Sequence, residues 1–390
     1  MVNVSILIFT VSHSFKEERM KKRLLSIVMA GIMAASLAAC SGGKTDETTA
    51  GSQAETSAQT DESKASESSE KSKEGVKDAK EFKVGMVTDV GGVNDGSFNQ
   101  SAWEGLQKAQ KELGIQAKYL ESKTDADYIP NIENFVDEDY DLIICIGYQL
   151  ADALKTTAEA NPDVKFAIVD DQSIQLDNVA CLMFEQAQAS YLVGYVAGLT
   201  TQTNTVGFVI GMSTDVMNEF GYGYLSGVKD ANPEATVLQN NVNSFADTGA
   251  GKIAANNMVA NNADVIFHAA GGTGLGVIDA AKEAGIWAIG VDSDQSSVAP
   301  ATILTSAMKR VDNACYDEAL AALNGEYKAG VKTYTLADGG VDIAPTTTNL
   351  SEETLAKVEE VKKQIIAGDI KVPNTKADFE AKYGDIYELD

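Results

Sequence analysis

From residue 83 onward the chain repeats one pattern: a short, unbroken apolar run, a polar turn rich in Gly, Asp, Ser or Thr, then a helical stretch. Runs such as LIICI at 142–146 lack the apolar–polar alternation of a half-buried strand. They must be covered on both faces, and parallel strands sandwiched between helices meet that demand. The pattern predicts strands at 83–89, 116–121, 141–146 and 165–170, with helices at 101–113, 128–136 and 149–160 between them. A long helix of small residues at 186–200 precedes a second series. Its strands are expected at 205–211, 236–242, 264–269 and 287–292, and its helices at 216–230, 249–261 and 273–284. The fold class that follows is α/β, two doubly wound Rossmann-like lobes of about 100 residues each, joined by a hinge.

In open parallel sheets, ligands lie outside the carboxyl ends of the strands. Here those ends read Thr88-Asp89, Gly147-Tyr148, Asp170-Asp171, Gly211-Met212, 270–274 (AGGTG) and Asp292-Ser293-Asp294. Two lobes facing each other would bring these loops to one shared cleft, the geometry of a hinged binding protein.

The first 81 residues have a different character. Lys21, Lys22 and Arg23 precede an apolar stretch from Leu24 to Ala39, shorter than the roughly 20 residues that span a bilayer. A basic start, a short apolar core and small residues make an export signal over 1–39, with Met20 the expected initiator and 1–19 upstream translated sequence. Leu37-Ala38-Ala39-Cys40 resembles the lipobox of bacterial lipoproteins, which makes Cys40 the expected lipidation site and new amino terminus. The expected location is the extracytoplasmic face of the cell membrane, held by lipid. Residues 41–80 are almost wholly polar or small, with Val76 their one branched aliphatic. Such a stretch cannot offset its ordering entropy, so 40–81 is expected to be a disordered tether. The first lobe is then expected over 82–200 with a return at about 308–330, and the second over 201–307 with 331–390.

The formal charge is −26, and residues 1–39 carry five Lys/Arg against two Asp/Glu, leaving the remainder near −29. So acidic a surface repels phosphates and speaks against nucleic acid as a partner. Beyond Cys40 there are Cys145, Cys181 and Cys315, an odd number with no CxxC spacing, so neither a disulfide framework nor a zinc site is indicated. Histidine is limited to His13 and His268, which leaves little for His-based nucleophilic or metal chemistry. No cofactor or metal is expected.

The stretch 87–105 (VTDVGGVNDGSFNQSAWEG) resembles the signature of the basic membrane protein family, the PnrA-like substrate-binding lipoproteins of ABC transporters for purine and other nucleosides. Further resemblances, in the same order, are 268–277 (HAAGGTGLGV), 289–295 (IGVDSDQ), 304–310 (LTSAMKR) and 338–341 (DGGV). They cover about 83–370 and imply a periplasmic-binding-protein type I architecture. They also imply capture of a nucleoside, purine nucleosides foremost, and its delivery to permease subunits without chemical change.

A nucleoside is uncharged, with a flat base, polar base edges and ribose hydroxyls, so its site needs aromatic walls, carboxylates, amides and an ammonium group. By the resemblance, Phe98 stacks on the base and Asn99 bonds its edge. Phe267 is the expected second wall, with His268 the alternative in register and core packing the bland reading. Asp89 and Asp170 accept from base N–H groups, Asp171 being an alternative to Asp170. Gly272 gives a backbone approach free of a Cβ. Asp292, or Asp294 in its place, accepts from ribose hydroxyls, and Lys309 donates to one and neutralises that carboxylate. The run 272–276 (GTGLG) has no GxxxxGK[ST] form and is a weak dinucleotide match. As a helix start it still offers N–H groups to a ligand. The competing functional classes are a binding protein for another small polar ligand such as a sugar, a receptor that signals occupancy, and a metal-dependent nucleoside hydrolase. No tight aspartate cluster with nearby histidines supports the last.

Overall fold

A computed structural model describes residues 77–389. The signal, Cys40 and nearly all of the tether lie outside the described residues. In the first lobe, strands β1 (Lys83–Val87), β2 (Gln116–Leu120), β3 (Leu142–Ile146), β4 (Lys165–Val169) and β5 (Val179–Phe184) alternate with helices. These are α1 (Phe98–Leu113), α2 (Tyr128–Asp137) and α3 (Ala151–Ala160). The small-residue helix α4 (Gln186–Thr200) follows, and the second lobe repeats the plan. Its strands are β6 (Thr205–Ile210), β7 (Thr236–Asn241), β8 (Val265–Ala269), β9 (Trp287–Asp292) and β10 (Ile303–Lys309). Between them run α5 (Asp215–Ala231), α6 (Thr248–Ala260) and α7 (Thr273–Ala284). The chain then returns to the first lobe with α8 (Val311–Leu323) and β11 (Gly330–Tyr334), and ends in the second with β12 (Val341–Ile343), α9 (Glu352–Ala367) and α10 (Lys376–Tyr383).

The two sheets are built alike. Their orders are β11-β5-β4-β3-β1-β2 and β12-β10-β9-β8-β6-β7, so each strand from β1 to β5 has its counterpart five places on. All pairings are parallel except β12 against β10. Every residue of β3 and β8 is buried, as unbroken apolar runs require of central strands. The expected α/β class with two doubly wound lobes is the observed one.

The lobe boundaries differ from those expected. Helix α4 packs on α5 and on β10 and β12, so it belongs to the second lobe rather than the first. Its register with α5 demands glycine: a Cβ on Gly223 would lie 2.2 Å from the Ala187 carbonyl oxygen, and one on Gly227 2.0 Å from that of Tyr191. Strand β11 pairs with β5, so the first lobe keeps the chain through Tyr334 instead of losing it at 330. The chain thus crosses between lobes after β5, after β10 and after β11. These crossings lie side by side, with Glu185 N donating to Tyr334 O at 2.8 Å and Arg310 N donating to Gly340 O at 2.9 Å. Among the described residues no helix is long and apolar enough to cross a membrane.

Candidate functional site

The carboxyl ends of both sheets open on one cavity. From the first lobe it is lined by Asp89, Asp95, Phe98, Asn99, Tyr148 and Asp170. From the second come Met217, Phe220, Phe245, Gly271, Asp292 and Lys309. It encloses about 550 Å³ of non-atom space, its solvent-open mouth included.

The first-lobe wall is organised by a carboxylate that sequence reasoning passed over. Ser97, the N-cap of α1, makes no side-chain capping bond. Asp95 does that work: its carboxylate accepts from the backbone N–H of Ser97 at 2.9 Å, Asn99 at 2.9 Å and Gln100 at 3.1 Å. An acidic group there also suits the positive end of the helix. Phe98 and Asn99 are thereby fixed on the first turn. Asn99 Nδ2 donates to Asp89 Oδ1 at 2.8 Å and to Asp95 Oδ2 at 3.0 Å, and Gly91 N donates to Asp89 Oδ1 at 2.8 Å. Burial pushes the Asp89 carboxyl up to about 6, against the pull of its bonds from Asn99 and Gly91.

Asp170 and Asp292 stand at the ends of β4 and β9, counterparts in the two lobes. Both adopt left-handed backbone, with φ of 65° and 63°. Lys309, at the end of β10, donates to Asp170 in a buried ion pair. Its ammonium lies 5.1 Å from the Phe98 ring centre, 5.2 Å from that of Phe184 and 5.5 Å from that of Phe220. Asp292 accepts instead from Ser97 Oγ at 2.5 Å. Burial pushes its carboxyl up to about 7, with Lys309 and Ser97 pulling the other way. Lys309 was expected to neutralise Asp292; its charge does favour that carboxylate, but its hydrogen-bonded partner is Asp170. Asp171 is engaged locally, accepting from Ser173 N and Oγ, while Asp294 accepts from Ser296 N and Thr346 N. Of the alternatives weighed, Asp170 and Asp292 are the two at the cavity.

Two other expectations meet a different structure. Phe267 does not reach the cavity. It is fully buried, with its ring 5.5 Å from that of Phe208 and 5.1 Å from that of Tyr224. The alternation of side chains along β8 turns it into the core beneath α5. His268 is also fully buried, its Nε2 3.0 Å from Gln295 Oε1. The second lobe's aromatic wall comes from Phe220 on α5 and Phe245 in the loop after β7. Phe245 carries the signal that singled out Phe98, a lone aromatic in a polar loop (NSFAD, 243–247). Gly271, with φ of 52°, lines the cavity where Gly272 was expected. A Cβ on Gly272 would instead face Asp95 and the Phe245 carbonyl. The N–H groups at the start of α7 are taken within the protein: Thr273 N by Phe245 O, Gly274 N by Gly271 O and Leu275 N by Gly272 O. They are not available to a ligand.

Asn99 Oδ1 and Asp170 Oδ1 are buried acceptors without a hydrogen-bond partner among the described residues. An unmatched buried acceptor costs about 1–3 kcal/mol. A ligand that supplied N–H or O–H donors here would relieve that cost. The site thus offers aromatic faces, unmatched acceptors and one caged ammonium, between lobes whose loops meet over the cavity. Among the described residues no cluster suited to hold a metal ion occurs.

Residues 82–376 match the family model of the PnrA-like ABC transporter substrate-binding proteins. The CD4+ T-cell-stimulating antigen of Listeria monocytogenes is 46% identical over 76% of this chain and 89% of its own. The ABC transporter nucleoside-binding protein BmpA of Lactococcus lactis subsp. cremoris is 35% identical over 75% of this chain and 90% of its own. The crystal structure of an ABC transporter solute-binding protein from Aeropyrum pernix K1 superposes with a TM-score of 0.71 and 27% identity, covering 78% of this chain and 98% of that one. With the family model spanning both lobes and the cavity between them, the chain belongs to the PnrA-like family of ABC transporter substrate-binding proteins.

Proposed function

We propose that the cleft captures a nucleoside, purine nucleosides foremost, and that the loaded protein delivers it unchanged to ABC permease subunits while a lipid on Cys40 holds it at the outer face of the cell membrane. The observation that carries this reading is the pairing of aromatic faces with unmatched acceptors. Phe98 stands on the first lobe with Phe220 and Phe245 on the second, and Asn99 Oδ1 and Asp170 Oδ1 await donors. A nucleoside brings both a π-face and N–H and O–H donors. The nucleoside-binding relative from Lactococcus supports the same class. Phosphorylated ligands are disfavoured, because Asp89, Asp95, Asp170 and Asp292 line the site against the single ammonium of Lys309.

Calorimetric titration with adenosine, inosine, guanosine, uridine, ribose and AMP tests the reading. Binding of one or more nucleosides with no heat from AMP or ribose is the expected result. Heat with ribose and none with any nucleoside would move the site to the sugar class. Conversion of inosine to base and ribose would make it an enzyme.

A further inference from the structure

Gln295 lies behind the cavity rather than in it. Its side chain is 1% exposed, and it is not a lining residue. Within the second lobe it is held on three sides. Its backbone N–H donates to Ser306 Oγ at 3.2 Å, and its Oε1 accepts from Val291 N at 3.0 Å. His268 Nε2 stands 3.0 Å from the same oxygen. Because Val291 N–H is a donor only, that oxygen is the amide carbonyl, so His268 carries its proton on Nε2. The imidazole is neutral, burial having pushed it down to about 4. Gly290 makes room for this arrangement, since a Cβ there would lie 2.5 Å from Gln295 Oε1.

The amide Nε2 is thereby aimed across the cleft, where it donates to Gly96 O of the first lobe at 2.9 Å. Gly96, at a φ of 67°, starts the tripeptide that carries Ser97 and Phe98. Ser293 Oγ reaches the same carbonyl at 3.4 Å. When the lobes part, Gly96 O and Nε2 must both go to water, while the bonds inside the second lobe remain.

We propose that Gln295 is a positioning residue: an interlobe latch, set by His268 and Val291, that holds the loop bearing Phe98 against the second lobe and so sets the closed population without touching the ligand. A contact present only when closed shifts that equilibrium by its own free energy and so slows release. The inference rests on the hinged-binding reading, but one arm of its test needs no nucleoside.

Gln295→Glu is the sharpest variant, because a carboxylate still accepts from Val291 and His268 but turns an acceptor toward the Gly96 carbonyl. At pH 8 it is expected to release inosine about tenfold faster than the parent, with the association rate constant little changed. In the ligand-free, full-length protein, amide exchange over 91–97 is expected to speed up about fivefold. Parental release and parental exchange together would overturn the latch. So would a loss confined to association. If Gln295→Glu fails to fold, Gln295→Met, which keeps the length and removes the donor, is read by the same two measurements. If the parent binds no nucleoside, the proposed function fails, and the exchange measurement alone decides the latch.

Discussion

Lys309 and Asp170 form a buried ion pair across the cleft, joining the end of β10 in the second lobe to the end of β4 in the first. Asp292, the counterpart of Asp170 in the other lobe, is tied back to the first lobe through Ser97 Oγ. Each lobe's aspartate is therefore secured by a residue of the other. Both sit in left-handed backbone, which costs an L-residue roughly 1–2 kcal/mol and persists where surrounding structure enforces it. Together they bring two carboxylates to one cavity.

Breaking the pair should be costly in a specific way. Lys309→Met leaves Asp170 buried without its counter-ion, a loss of about 3–5 kcal/mol for a buried pair. The effect should include ligand affinity, since both residues line the cavity. Adding Asp170→Asn to Lys309→Met should recover part of the loss. A double-mutant cycle on the inosine dissociation constant checks this, and additive losses would show that the two groups act independently.

Phe98 in the cavity wall and Phe267 in the core should respond differently. Phe98→Ala should weaken nucleoside binding by about 1–3 kcal/mol, by analogy with base–aromatic stacking, and leave the urea midpoint almost unchanged. Phe267→Ala opens a hole beside Phe208 and Tyr224 and should cost about 3–5 kcal/mol of stability. Urea unfolding beside calorimetry separates them. A Phe267 variant of parental stability would contradict its place in the core.

Those two residues mark where the sequence was legible. Unbroken apolar runs locate the strands, and the polar loops after them locate the cleft, so Asp89, Phe98, Asn99, Asp170, Asp292 and Lys309 meet at one cavity. Phe267 sits within a strand, where side chains alternate between faces, and the run VIF at 265–267 does not say which face points to the ligand. Phe220 was hidden in a helix whose aromatics, Phe220, Tyr222 and Tyr224, read equally as core. The partner of Lys309 was not legible either, because Asp170 lies 139 residues away, in the other lobe. The lobe boundaries failed for a similar reason: α4 gives no cue to which sheet it covers until the glycines of α5 are seen to admit it.

The proposed lipid anchor is a separate matter, resting on the sequence around Cys40. Cys40→Ser should move the protein from the membrane to the soluble fraction and leave inosine affinity unchanged, since the tether and the cleft share no residue. Fractionation followed by immunoblotting measures it. Continued membrane association would require another anchor.

Proton linkage offers a test of Asp292 itself. Burial raises its carboxyl to about 7, and that of Asp89 to about 6, from an unfolded value near 3.9. Between about pH 4 and 7 the folded protein therefore holds more protons than the unfolded chain. The stabilisation from these groups is complete below the unfolded value and is lost as pH rises through the folded ones. Asp292→Asn should flatten the fall in urea midpoint between pH 4.5 and 7.5, by on the order of 2–4 kcal/mol at the upper end. A ligand hydroxyl donating to Asp292 favours the carboxylate and lowers its pKa. Nucleoside binding at pH 7 should then release protons and tighten as pH rises through about 7. Titrations in two buffers of different ionisation enthalpy count those protons. Release that persists in Asp292→Asn would assign the linkage to another group.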